Sequence, residues 1–357
     1  MKKIIILLLF VVTIGLNSCI KNFDIEHDNY AYSTVYFGYQ FPVRTLILGD
    51  YVYDNANDNA HQFVISAHLG GLLSNKHDKK FAVSVDNSLC NGLQFSGTKE
   101  PILALPQNYY EPIATELIIP KGKMSGGVTV KLTDAFFNDP MAIRNKYVIA
   151  LRLTNPNHAV DSVLVGNKTD QNPNPDPRFA TEWAVGPKDF TMFVVKYVNE
   201  FYGAYFQWGT SKTNIAGVTT DTIYKHRWVE YNPALTLTTT GRNTVEGSFI
   251  LKSRAMTGTI RMTLTFSGAY DGKNNCTISG QGTTGNYTYM VSGTGSFFNS
   301  EAGSYNGFGN KNRNGIKLNY NVNLTTNDGG SMTYTAEDEL VLRSRDIVME
   351  IYTPEKQ

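Results

Sequence analysis

The sequence predicts an all-β protein, a Greek-key sandwich followed by a closed antiparallel barrel of about eight strands. Three observations predict it. Long helical periodicities are missing, the readable segments are short alternating runs bounded by Gly, Asn, Asp and Pro, and the second half carries hairpin turns at regular intervals.

The first residues stand outside any fold. Lys2 and Lys3 precede an apolar run over 4–15, which Leu16-Asn17-Ser18-Cys19 closes. Such a run is too short to span a bilayer and has the form of a cleavable export signal. A Leu three places before Cys19 and a small Ser just before it are what a bacterial lipoprotein signal peptidase requires. Residues 1–18 are therefore read as a leader, Cys19 as the lipidated N-terminus, and 19–30 as a polar tether. Two or three acyl chains at Cys19 would anchor the protein durably to a membrane. An ordinary secretory signal with an incidental Cys is the competing reading.

Residues 31–154 form the expected sandwich. Strand runs fall at 34–39, 62–69, 81–85, 116–119, 128–132 and 147–153, and Val128-Thr129-Val130-Lys131-Leu132 alternates as a half-buried strand should. A Pro-, Asn- and Asp-rich stretch at 155–188, including Gln171-Asn172-Pro173-Asn174-Pro175-Asp176-Pro177, denies backbone donors to a sheet and is read as a linker. The barrel is expected over 189–357, opening with runs at 190–199 and 201–209 and ending with 331–345. Gly241-Arg242-Asn243, Asp271-Gly272 and Asn327-Asp328-Gly329-Gly330 supply hairpin turns. Closing such a meander hides its two edges, and an eight-stranded barrel either fills with side chains or holds one small ligand.

Charge narrows the partners. Thirty-two Lys and Arg stand against 31 Asp and Glu, with no basic stripe, so a nucleic-acid partner is excluded. Cys90 and Cys276 lie far apart and read as two separate buried thiols. His61, His68 and His77, with Asp78, fit no metal-ligand spacing, and 54–59 lacks the Gly and the distal Glu of a calcium loop. No metal or cofactor is expected. Neither G-x-S-x-G nor H-E-x-x-H appears, and Glu337-Asp338-Glu339 reads as a solvated turn at the start of a strand.

Aromatic residues offer more. Sugars present apolar C–H faces to rings, and the chain has 21 Tyr and 19 Phe. Trp228 and Tyr231 lie after the first barrel strand, and Tyr305 and Phe308 lie in the Gly- and Asn-rich segment 299–314. These four are the candidate ligand contacts, because loops at a barrel mouth are where ligands meet such folds. Trp208 lies on the expected first barrel strand. Arg343 and Arg345 lie on the last, so an Arg stacked on the indole would close the barrel.

Two stretches resemble known families. Leu103-Ala104-Leu105-Pro106-Gln107-Asn108-Tyr109-Tyr110, with Ile118-Ile119-Pro120-Lys121-Gly122 and Gly127 to Leu132, is similar to a domain of unknown function at the N-terminus of Bacteroidetes lipoproteins. That domain also precedes the catalytic module in an endo-β-N-acetylglucosaminidase family. Tyr197-Val198-Asn199-Glu200-Phe201-Tyr202-Gly203-Ala204-Tyr205, with Glu339 to Arg345, resembles an uncharacterised calycin-like barrel domain. The resemblance implies an immunoglobulin-like sandwich, a lipocalin-like barrel and an outer-membrane lipoprotein, often encoded with glycan-uptake systems. It implies no activity, since the glycosidase relatives carry their acid pair in a separate module. Ile20-Lys21-Asn22-Phe23-Asp24 lacks an acidic cluster after the Cys, which leaves surface and periplasmic orientation both open. The leading expectation is a non-catalytic glycan-binding accessory of a polysaccharide-uptake system, with membrane, oligosaccharide and other envelope proteins as partners. A structural lipoprotein with a packed barrel, and a glycoside hydrolase with two convergent carboxylates, are the alternatives.

Overall fold

The computed structural model describes residues 33–154, 162–226, 228–300 and 312–357. Within the N-terminal half, Gln62–Gly70 alternates strictly. Phe63, Ile65, Ala67 and Leu69 are buried while Val64, Ser66 and His68 face out. It pairs antiparallel with Thr34–Phe37 on one side and Ser125–Lys131 on the other. Ser162–Val163 adds to Thr34–Phe37 to complete a four-stranded sheet. The facing sheet runs Glu350–Ile351, Pro42–Ile47, Phe190–Val198, Tyr147–Thr154, Lys79–Val85, Glu116–Ile119. Phe37, Phe63, Phe81, Leu117, Val130, Leu151 and Tyr197 fill the space between them.

Phe190–Val198 corrects the sequence reading, which opened the barrel with it. It is a central sandwich strand, antiparallel to Tyr147–Thr154 and parallel to Pro42–Ile47. Both its faces are buried. Val195 and Tyr197 point into the main core, while Phe190, Met192 and Val194 pack on a second cluster with Leu93, Phe95 and Tyr352. A strand covered on two sides reads as a continuous apolar run, which carries no mark of its partner sheet.

The expected linker is also mostly part of the first domain. Residues 155–161 lie outside the described residues, but Asn167–Lys168 and Trp183–Val185 pair as a small ribbon. Trp183 Nε1 donates to Asp176 O at 2.8 Å. Arg178 pairs with Asp176 and reaches the carbonyls of Leu89 and Asn91 at 3.1 and 2.6 Å. The Asp176–Arg178 pair does locally what a ladder does elsewhere. The last residues return too, because Pro354–Lys356 pairs with Leu93–Phe95 and Tyr352 packs edge-on against Phe41 and Phe95. The chain thus passes between domains at 199–202 and again after Ser344.

The barrel is closed. Gly203–Ile215, Ala234–Gly241, Thr244–Ile250, Thr259–Phe266, Asn275–Thr284, Tyr287–Phe298, Gly315–Thr326 and Ser331–Ser344 pair in that order. The first then meets the last from Ala204↔Ser344 to Ile215↔Met332. Val218–Tyr224 folds back as a hairpin on the outer half of the first strand. Inward glycines let the wall coil sharply, since a Cβ on Gly209 or Gly293 would meet the carbonyl of Glu337 or Asn319. The lumen is filled by Tyr205, Phe249, Met262, Leu264, Phe266, Ile278, Phe297, Leu318, Val322 and Tyr334, and Phe201 stacks on Phe266 with ring centroids 3.6 Å apart.

Closure between first and last strands holds, but not by the expected pair. Trp208 sits opposite Glu339, donates to its carboxylate at 2.6 Å, and carries the Lys225 ammonium 4.6 Å from its ring centre. Arg343 lies farther along the last strand and rests over Phe206 at 5.8 Å. Arg345 has left the wall. Register decides this, because alternate outward positions on paired strands bring Arg343 beside Phe206 and not Trp208.

Candidate functional site

The two domains meet around one buried cation. Arg345, 5% exposed, donates through Nε to Tyr202 O at 3.0 Å and through Nη2 to Asn199 O at 2.6 Å. Its Nη1 reaches Leu48 O at 2.9 Å and Asp50 O at 2.6 Å. Four neutral carbonyls, two from the 199–202 crossing and two from the sandwich loop at 48–50, therefore solvate one guanidinium. Burial pushes its proton affinity down, against the pull of nearby Glu200 and Asp50. Neighbouring residues fix each acceptor. Asn199 donates from its side chain to Gly241 O and Thr244 O at 3.0 and 2.9 Å, and Glu200 receives both Arg242 nitrogens at 2.6 and 2.8 Å. Gly49, at φ +79°, leaves room for the Glu200 side chain, where a Cβ would collide with it.

The stretch 54–59 braces the same loop. Asn55 donates to Ile47 O and Gly49 O at 2.8 and 2.7 Å, and Asn59 accepts from Gly49 N at 2.8 Å. Asp58 is buried, pairs with Arg44 and accepts from Ile47 N at 2.9 Å. These amides and carboxylates hold backbone in place. Among the described residues no three His, Cys, Asp or Glu side chains form a metal-sized group. His61 lies on Phe137 at 4.1 Å and His68 beside Tyr36 at 6.0 Å.

Above Arg345 a cleft of about 410 Å³ opens between the domains. Asp50, Tyr51, Val52 and Tyr53 form its sandwich side, and Arg313, Asn314, Arg343 and Asp346 line its barrel side. Tyr51 and Tyr53 meet edge to face at 5.7 Å, and Tyr53 is 72% exposed. The Asp50 carboxylate is steadied by Tyr270 OH and Asn314 Nδ2, both 3.3 Å from Oδ2. The cleft thus combines exposed rings, fixed hydrogen-bonding groups and guanidinium groups, the mixture that small-molecule sites use.

A second polar cluster lies inside the barrel. Asp338, 2% exposed, was expected in a solvated turn but occupies the middle of Ser331–Ser344. Alternation sends Glu337 and Glu339 outward and Asp338 inward. Its carboxylate accepts from Gln207 Nε2 at 2.7 Å, Tyr320 OH at 2.9 Å and Tyr224 OH. Burial pushes its pKa up to about 6 despite these donors. Burial and the same carboxylate raise Tyr224 and Tyr320, so both phenols keep their protons. The cluster's hydrogen bonds tie four strands of the second domain together.

Of the four aromatic candidates, Trp228 and Tyr231 share one exposed turn, 54% and 69% exposed, and neither lines the cleft. Tyr305 and Phe308 lie outside the described residues, though Ser300 and Asn312, which flank their segment, line the cleft. Sequence reasoning missed Asp50, Tyr51, Tyr53 and Asp346. The one available signal was Tyr51-Val52-Tyr53, an aromatic pair set between Gly49-Asp50 and Asp54-Asn55.

A family model described as a domain of unknown function (DUF5627) matches residues 200–346, and one described as an N-terminal domain matches 29–160. A crystal structure of a protein of unknown function from Bacteroides ovatus is similar at TM-score 0.79 and 32% identity, covering 92% of this chain and 100% of that one. A "putative carbohydrate binding protein" from Bacteroides ovatus ATCC 8483 reaches TM-score 0.26 and 11% identity, covering 89% of this chain and 97% of that one, too distant to bear on this chain. No curated protein matches.

Asp338 has a testable consequence. Its folded pKa, about 6, lies above its ordinary 3.8, so the folded state favours the protonated carboxyl. The stability it contributes is complete below about pH 4 and is lost as pH rises through about 6, on the order of 2–3 kcal/mol. Denaturant unfolding of Asp338→Asn between pH 4 and 7 should lack that decline. A slope equal to that of the unaltered protein would contradict it.

Proposed function

Since the chain belongs to the family of the Bacteroides ovatus protein that it matches over nearly its whole length, we propose that it is a non-catalytic envelope lipoprotein that holds a glycan between its two domains, as an accessory of a polysaccharide-uptake system. The cleft carries this reading. Its volume falls in the range of small-ligand sites. Tyr51 and Tyr53 offer rings to the C–H faces of a sugar, while Asp50, Asn314 and Arg343 stand ready for its hydroxyls. The filled lumen supports an outside site, because the barrel interior has already been given to side chains.

Two further observations support the rest of the proposal. The most perturbed carboxyl, Asp338, is buried and already accepts hydrogen bonds from Gln207, Tyr224 and Tyr320. A leader over 1–18, followed by Cys19 and a polar tether, suits attachment to a membrane ahead of the sandwich. The packed barrel also favours a second reading, an assembly protein whose partner is another envelope protein, and the cleft separates the two.

Calorimetric titration with a broad oligosaccharide set should find binding that Tyr53→Ala weakens about tenfold or more while Trp228→Ala leaves it unchanged. Binding indifferent to Tyr53, or none across the set, would refute the cleft as the site. Mass spectrometry of the native N-terminus should find Cys19 acylated. A retained leader or a bare thiol would remove the envelope assignment.

A further inference from the structure

We propose that the cleft selects an acidic glycan, with Arg343 as the group that pairs with a sugar carboxylate. This rests on the cleft's being a glycan site and adds the class of sugar.

The first argument is charge. The described lining contains Arg313, Arg343 and Arg345 against Asp50 and Asp346. Arg345 forms the floor, and every hydrogen bond it makes goes to a backbone carbonyl. Carbonyls satisfy its N–H groups but do not cancel its charge. Of the carboxylates near it, Glu200 is taken up bidentately by Arg242, while Asp50, held through Oδ2 by two neutral donors, keeps its charge and offsets part of the field. Asp346 accepts from Ser344 Oγ at 2.7 Å. A buried cation without a contacting anion leaves a positive field, and in a half-enclosed cleft that field is weakly screened.

The second argument is the geometry of Arg343. Its side chain is exposed, and its guanidinium carbon lies 5.8 Å from the centre of the Phe206 ring. A guanidinium lying over a ring keeps its N–H edge open, and that edge matches a carboxylate in a two-pronged contact. Tyr53 and Tyr51, on the opposite side of the cleft, supply rings for the body of the same sugar. A neutral glycan would use the rings and leave the positive field unanswered. A uronate uses both.

The test titrates the full-length protein with oligogalacturonate and oligomannuronate, each beside its carboxyl-reduced counterpart, and with polyglutamate as an acidic peptide. At least one acidic oligosaccharide should bind about tenfold or more tighter than its reduced form, with the advantage shrinking as salt is added. Arg343→Gln should erase that advantage, so that the acidic and reduced forms bind alike. Equal affinity for acidic and reduced forms would overturn the acidic preference and leave the glycan site standing. Equal affinity for polyglutamate would overturn it in favour of a peptide. Binding of none of these sugars, alongside failure of the broader neutral set, would remove both readings.

Discussion

One guanidinium organises this molecule. Arg345 sits where the last barrel strand ends, and its donors reach carbonyls on the sandwich loop and on the segment leading into the barrel. An unmade bond at a buried carbonyl costs about 1–3 kcal/mol, so four acceptors sharing one donor group fix three pieces of chain at once. The cleft exists because of that placement. Its floor is the cation, and its two walls are the loop and strand end that the cation joins.

The rest of the architecture follows from how each half disposes of its apolar surface. The larger sandwich sheet is covered on both faces, and its second face is closed only when the C-terminal residues return with Tyr352. The barrel removes its edges by closure and its lumen by packing. Among the described residues both cores are packed with side chains, so the proposed recognition falls to the surface between them. The residues from Asn199 to Tyr202 are thus joint residues: Asn199 and Tyr202 offer carbonyls to Arg345, Glu200 holds Arg242, and Phe201 plugs the barrel end.

Much of the fold was legible because alternation and turn chemistry are local. The period of two in Gln62–Gly70 and the glycine turns between barrel strands say what they become. What was not legible depends on partners distant in sequence. Phe190–Val198 is apolar on both sides and could join either domain. Asp338 looks like its neighbours Glu337 and Glu339 until strand phase sends it inward. The stretch around Asp176 has a linker's composition, yet a single ion pair and an indole bond dock it. Trp208 and Arg343 do lie on adjoining strands, but a pairing register cannot be read from strand identity alone. Arg345, read as a barrel-closing residue, proved to be the tie between domains. The cleft needed both halves of the chain at once, which is why a scan for aromatic loops found its border and not its lining.

Differential scanning calorimetry of Arg345→Met tests the tie most directly. If the guanidinium couples the two domains, the unaltered protein melts in one cooperative transition. The variant, with its buried carbonyls left without a donor, should lose about 3 kcal/mol or more and separate into two transitions. A variant that melts as one unit at an unchanged temperature would contradict the account.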